Sequence, residues 1–370
     1  MVIPLKINGS DTLNFILDSG VSKTIMTNLY FEGSIFLNKA RDIKITGLGG
    51  GEPIPAIVSS ENVVSLNGVE GVNQEIYVLL EDIFFLSTSM GMQIHGLIGY
   101  SIFKDFVVEI DYIKESLTLH DPSRYKYKRR RKGQRFPISI EKYKPYVEGL
   151  AYQTDSGSAP LETKVKLLID TGASHALSLY DYTDNRIKIP KKSFRSYLGR
   201  GLNGDIHGNV GRLQRFILGT YQFNQPVVTY PDEDDIAIAL KSSDRSGSIG
   251  SELLRRFRIV MNYTQKEIIL YKNGNYKSRF SYNMSGIDIG TPIPGINYYN
   301  IAHIRPNSPA DLVGIKRGDD IISVNGTLAN QLDLNDLIRI FHGKPNKRIK
   351  LKVIRAGRAI KFDFELKELI

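Results

Sequence analysis

The stretch NFILDSGVSKTIM, residues 14–26, drives an apolar segment straight into Asp18 and then turns on Ser19-Gly20. A lone buried carboxylate is costly unless something stabilises it. Residues 166–178, KLLIDTGASHALS, repeat the pattern around Asp170, Thr171 and Gly172. Gly20 and Gly172 allow a tight turn that brings backbone amides near each carboxylate. Ser19 and Thr171 supply hydroxyls able to lock the two loops through hydrogen bonds. One such motif, met alone, reads as a turn capping a strand. Two at matched spacing are harder to explain that way.

The match extends well beyond the motifs. HGLIGYSIFKDFVVEIDYIKESLTL (95–119) is answered by SGSIGSELLRRFRIVMNYTQKEIIL (246–270). Gly99 and Gly250 keep almost the same offset as Asp18 and Asp170, and Tyr112 and Tyr263 keep the offset of the glycines. Each copy runs hairpin, Asp motif, glycine-rich stretch, strands, apolar-Gly element, final strand pair. We read two lobes of one fold in tandem, 1–121 and 136–275, joined by a linker at 122–135. Lobe two has an extra strand-like stretch, RFPISI (135–140). Its lobe-one counterpart would precede residue 1, so a leading piece is expected to be missing from the sequence.

Composition agrees. The 370 residues are rich in Val, Ile, Leu, Tyr and Phe runs broken by Gly, Asn and Asp, a mainly β texture. Cysteine is absent, which excludes disulfides, thiolate catalysis and Cys-based zinc sites. The net charge of +10 owes much to RYKYKRRRKGQR, 124–135. A basic run is either a nucleic-acid or membrane patch or a solvated connector. No nucleic-acid motif accompanies it, so a connector is favoured and no nucleic-acid partner is expected. No segment is long and apolar enough to span a bilayer.

Two carboxylates in contact cannot both ionise comfortably, so they share a proton. Each Asp then stabilises the other. The ionised carboxylate can activate a water while its protonated partner donates to a substrate carbonyl. Such chemistry needs no metal, cofactor or covalent nucleophile.

ILDSGVS and LIDTGAS resemble the motifs of aspartic proteases of the pepsin-like and retropepsin-like branches, and HGLIGYSIF and SGSIGSELL resemble the apolar-Gly segment of that family. The resemblance covers about residues 2–275. It implies two β-barrel lobes, a catalytic pair Asp18 and Asp170, and loop support from Ser19, Gly20, Thr171 and Gly172. It implies flaps carrying Gly47, Gly49 and Gly50 in lobe one and Gly199, Gly201 and Gly204 in lobe two, closing over an extended peptide or unfolded protein. One chain holds both lobes, so a monomer suffices. Export from the cytoplasm is also implied.

The pattern departs from that family in three places. Ser19 stands where Thr is commoner. The first glycine-rich stretch offers no flap tyrosine. Val21 and Ala173 follow the motif glycines where pepsin-like enzymes usually have Ser. Losing that hydroxyl removes a donor to the ionised state and should raise the carboxyl pKa values. Activity is therefore expected at mildly acidic to neutral pH.

Asp155-Ser156-Gly157 also spells the motif, but it follows polar residues and reads as a hairpin turn. His95 and His175 lie near the key elements without a second ligand at metal spacing, and neither is given a role.

After a texture change at 276–285, read as a linker, SPADLVGIKRGDDIISVNG resembles a bacterial PDZ domain, with the match covering about 287–367. This small α+β domain is assigned 286–370. Ser308 is expected to cap a short helix starting at Pro309, Asn325-Gly326 to form a tight turn, and DLNDLIRIF to be a helix with Leu334, Leu337, Ile338 and Phe341 on one face. The resemblance implies that an extended, C-terminal peptide adds to a sheet edge, for which Ile296, Asn297, Tyr298, Tyr299, Asn300 and Ile301 are the candidate residues. The alternative is a covering module that recognises nothing. The whole reads as an aspartic endopeptidase; the competing class is a catalytically silent peptide-binding scaffold.

Overall fold

The structure is a computed structural model that describes residues 1–27, 35–45, 53–127, 133–153, 160–201, 204–240 and 243–370. Gly47, Gly49 and Gly50, the Asp155-Ser156-Gly157 turn and the centre of the basic run lie outside the described residues. Two compact units form. The first comprises Met1–Ile83, His95–Lys191 and Leu198–Phe280; the second comprises Phe84–Ile94, Lys192–Tyr197 and Ser281–Ile370.

The chain opens with β1 (Val2–Ile7), β2 (Leu13–Leu17), β3 (Thr24–Met26), β4 (Arg41–Ile45), β5 (Ile54–Leu66) and β6 (Val69–Leu79). There follow α1 (Leu86–Met90), β7 (Gly96–Ile98), α2 (Tyr100–Phe103), β8 (Val107–Asp111) and β9 (Ser116–His120). The β1–β2 and β5–β6 hairpins turn on Asn8-Gly9 and Asn67-Gly68, all four at positive φ, the backbone that Asn-Gly accepts most cheaply.

The second half supplies β10 (Gln134–Pro137), β11 (Ser139–Glu141), β12 (Lys144–Gln153), β13 (Leu161–Ile169), β14 (Leu177–Leu179), β15 (Ser193–Gly201) and β16 (Gly204–Arg212). It continues with β17 (Arg215–Leu218), β18 (Tyr221–Asn224), β19 (Val227–Pro231), α3 (Glu233–Leu240), β20 (Gly247–Ile249), α4 (Ser251–Leu254), β21 (Phe257–Asn262) and β22 (Glu267–Lys272).

The two halves share one topology. The first sheet runs β1-β2-β7-β3-β6-β5-β4, and the second contains β12-β13-β20-β14-β19-β16-β15 in the corresponding order. In both, the strand ending at the motif aspartate pairs in parallel with the short Gly strand: Leu17 opposite Ile98, Ile169 opposite Ile249. The second sheet adds the β17–β18 hairpin beyond β12. A further sheet, β10-β22-β21-β8-β9, joins strands from both halves, with β21 antiparallel to β8.

Alternate residues of β1, β2, β12 and β13 face a common apolar core, among them Phe15, Leu17, Val165, Leu167 and Ile169. Each such side chain contributes roughly 1.5–3 kcal/mol by leaving water. That burial offsets the cost of aiming two strands at charged ends.

The second unit holds a sheet of β23 (Ile287–Gly290), β24 (Asn300–Ile304), β25 (Asp320–Val324), β26 (Thr327–Leu328), β27 (Arg348–Arg355) and β28 (Arg358–Glu365), with α5 (Pro309–Leu312) and α6 (Leu334–Phe341). Ser308 caps α5, Asn325-Gly326 turns at positive φ, and Asp333 caps α6 with Asp336 in a reciprocal capping box. Leu337 and Phe341 are buried on that helix, while Ile338 stays 39% exposed. The 276–285 stretch, read as a linker, is packed at several positions. Phe280, Tyr282 and Met284 are buried, and the unit boundary falls after Phe280.

Candidate active site

Each motif aspartate is fixed first by the neighbouring Gly strand. Asp18 N–H donates to Ile98 O and Asp170 N–H to Ile249 O, both at 2.9 Å. The glycine that ends each strand sits where no side chain fits. A Cβ on Gly99 would lie 2.0 Å from Asp18 O, and one on Gly250 2.3 Å from His175 O.

The two loops then grip each other. Ser19 N–H donates to Thr171 Oγ1 (3.0 Å) and Thr171 N–H to Ser19 Oγ (3.1 Å). Ser19 Oγ donates to Ile169 O (2.6 Å) and Thr171 Oγ1 to Leu17 O (2.8 Å). Both hydroxyl residues are buried, so this fourfold network is shielded from competing water.

The grip brings the carboxyl groups together. A Cβ on Gly20 would lie 3.0 Å from Asp18 Oδ1 and 3.1 Å from Asp170 Oδ2, and one on Gly172 2.5 Å from Asp18 Oδ2. Asp18 Oδ1 accepts from Gly20 N–H (2.7 Å). Asp170 Oδ1 accepts from Gly172 and Ala173 N–H, each at 3.0 Å. Burial, then the charge of Asp170 beside it, pushes the Asp18 carboxyl up to about 8, against the pull of the Gly20 amide; a carboxyl–carboxyl hydrogen bond to Asp170 raises it further.

Several residues around the pair had no sequence signal. Burial, then Arg245, holds the Lys144 ammonium below its usual range, while Asp18 and Asp170 oppose this. Tyr112 and Tyr263 end up with buried hydroxyls that have no hydrogen-bond partner among the described residues. Burial raises both phenols, and Asp170 adds to the rise at Tyr112 as Asp18 does at Tyr263. Their matched offset was visible, but nothing in it pointed to the aspartates.

The histidines are used structurally. His95 Nδ1 accepts from Asn14 N–H (2.9 Å), and His175 Nε2 lies 2.8 Å from Ser248 Oγ. Of the flap glycines, Gly199 and Gly204 take φ +140° and +141° in the β15–β16 hairpin, with open space around them, and Gly201 ends β15.

In the second unit Ile296 and Tyr298 are exposed, while Tyr299 is buried. The strand begins only at Asn300. Asn300 and Ile301 lie in β24, which has β23 and β25 on its two sides, so they offer no free edge. The outer strands of the sheet's main path are β23 and β28.

Comparison with known proteins agrees with this architecture. Residues 3–102 match the family model described as aspartyl protease, and residues 301–355 match that of the PDZ domain. The chain thus carries an aspartyl protease domain and a C-terminal PDZ domain. It is similar over 50 residues, at 40% identity, to carboxy-terminal processing protease CtpA of Bacillus subtilis (strain 168). That similarity covers 14% of this chain and 11% of CtpA. The aspartyl protease match lies within the first half; the second half enters by its strand order.

Proposed function

We propose that this chain is an aspartic endopeptidase in which Asp18 and Asp170 form a dyad sharing one proton. The observation that carries the reading is the reciprocal Ser19–Thr171 network, which seats both carboxyl groups around Gly20 and Gly172. An extended segment of peptide or unfolded protein is the substrate, held between the lobes beneath the β15–β16 hairpin.

The proton sits on Asp18, whose charged form burial disfavours. Asp170, whose Oδ1 accepts the Gly172 and Ala173 amides, is the base. Asp170 takes a proton from water as the oxygen attacks the scissile carbonyl. Asp18 donates its proton to the carbonyl oxygen, giving a neutral tetrahedral diol. Asp170 then passes its proton to the leaving nitrogen as the C–N bond breaks, and the dyad recovers one proton from the diol. The PDZ domain serves peptide or substrate recognition.

Hydrolysis of an unfolded protein across pH, with and without pepstatin, beside an Asp170→Asn variant, tests the reading. Cleavage lost in the variant supports it. Peptide binding with no cleavage by the unaltered chain would favour a scaffold.

A further inference from the structure

β23 is one outer strand of its sheet, and α6 packs beside it. A free edge next to a helix accepts an extended peptide. Here both ends of that groove are already engaged by the chain itself.

At one end sits the segment containing α1. Thr291, just past β23, donates its N–H to Thr88 O (2.9 Å), and its hydroxyl donates to the same oxygen. Gly295 N–H donates to Gly91 O (3.0 Å). Gly91 takes φ +68°, and a Cβ there would come 3.3 Å from Leu334 Cδ2 and 3.4 Å from Thr291 Cγ2. Gly91 is therefore wedged between the strand end and the first residue of α6.

At the other end sits Asn283. Its Oδ1 accepts from Ser285 N–H (3.1 Å), Ser285 Oγ (2.8 Å) and Gly286 N–H (3.1 Å), a donor set suited to a carboxylate oxygen. Ser285 Oγ accepts from Ile287 N–H (3.1 Å), and Asn283 Nδ2 donates to Ile287 O (2.6 Å). Beside it Arg305 is buried, its Nη1 donating to Asn283 O (3.0 Å) while Nε and Nη2 have no hydrogen-bond partner among the described residues. A buried guanidinium with spare donors next to an amide cluster favours an incoming carboxylate. Ile338, one turn beyond Leu334 on the same face of α6, leaves apolar surface exposed.

We propose that two internal stand-ins hold closed the groove in which a PDZ domain takes the end of an extended peptide. The Asn283 side chain occupies the place of the terminal carboxylate. Phe84–Ile94 occupies the place of the peptide's upstream residues. Closure lowers the apparent affinity in proportion to the fraction of molecules left in the open state. The proposed consequence for catalysis rests on the peptidase reading. Phe84–Ile94 leads directly into β7, whose Ile98 O holds the Asp18 amide, so displacing the segment loosens the entry to the strand that positions the dyad.

The test uses the full chain carrying Asp170→Asn, so that no probe is cleaved and binding is read independently of activity. Decapeptides ending in Val or Leu, as free acids and as amides, are titrated by fluorescence anisotropy. Replacing residues 86–91 by Gly and Ser, or Asn283 by Ala, should tighten binding of the free acids at least tenfold and leave the amides weak. Equal affinity in the parent and both variants, or equal binding of acids and amides, overturns the proposal. Hydrogen exchange on the otherwise unaltered chain guards against a misfolded variant: saturating free-acid peptide should speed exchange at the Gly295 amide, and no change counts against it. If the peptides bind as described but the native chain cleaves nothing, the peptidase reading alone fails.

Discussion

Ser19 and Thr171 hold each other's backbone: each hydroxyl accepts the other's N–H, and each donates to the carbonyl preceding the other's aspartate. Neither loop is complete without the other half of the chain. The two carboxyl groups meet because the loops carrying them are tied one residue further on.

Removing that tie should be felt in both stability and rate. Thr171→Val leaves Ser19 N–H and Leu17 O unpaired in a buried site, at roughly 1–3 kcal/mol for each orphaned group. Thermal unfolding should show the loss, and kcat should fall with it. Thr171→Ser keeps the hydroxyl and is expected to restore both. A Val variant with unaltered Tm and kcat would contradict the described network.

On the proposed dyad reading, the raised Asp18 carboxyl should set the alkaline side of the pH profile. With its pKa pushed up to about 8 by burial and then by Asp170, the shared proton is retained through neutral pH and lost above it. The profile of kcat/KM should stay high into the neutral range and fall as pH passes about 8. Lys144→Met removes a positive charge that lowers this value, so the alkaline limb should move up. A maximum near about pH 2–3 would contradict this account. Stability follows the same sign: Asp18 favours the folded state at low pH, and that contribution disappears as pH rises through the folded value. Asp18→Asn should therefore unfold at a higher temperature than the parent at about pH 9.

Gly172 cannot carry a side chain. A methyl there would lie 2.4 Å from Asp18 Cγ, so Gly172→Ala must push one carboxyl away from the other. A displacement near 1 Å costs on the order of 10²-fold in rate. Gly68→Ala, at a turn with open space around it, serves as the control and should leave kcat/KM unchanged.

Asp288 offers a pH handle on the second unit. Burial pushes its carboxyl up to about 6, against the nearby Arg305. The unfolded chain gives up this proton first as pH rises from 3.8. The stabilisation is thus complete below that pH and gone above about 6, a loss of about 3 kcal/mol for two pH units. Unfolding of this unit followed from pH 4 to 8 should show that slope, and Asp288→Asn should flatten it. An identical slope in the variant would refute the assignment.

The lobes were legible because each apolar strand ends in the same Asp-Ser/Thr-Gly, with the Gly99 and Gly250 elements at nearly the same distance behind. That repetition carries topology, since a parallel partner for β2 and β13 must come from a later strand. What could not be read was how buried charge gathers around the pair: Lys144 and Arg245 arrive from separate elements, and only packing brings them near. The peptide edge is hard to read for a related reason. INYYNI has a strand's composition, but Asn300–Ile304 begins late and is flanked on both sides. One outer strand of that sheet, β23 (Ile287–Gly290), is short and carries a half-buried acid, Asp288, which hides its alternation. The lobe-one glycine-rich stretch lies outside the described residues, so its flap role stands as a proposal.

The central claim is that Asp18 and Asp170 work as one unit. Steady-state kcat/KM for Asp18→Asn, Asp170→Asn and the double variant, measured on one unfolded-protein substrate, tests it most directly. The account predicts a loss of about 10⁴-fold or more in each single variant and no further loss in the double. Either single variant retaining activity within about tenfold of the parent, or losses that multiply in the double variant, would contradict it.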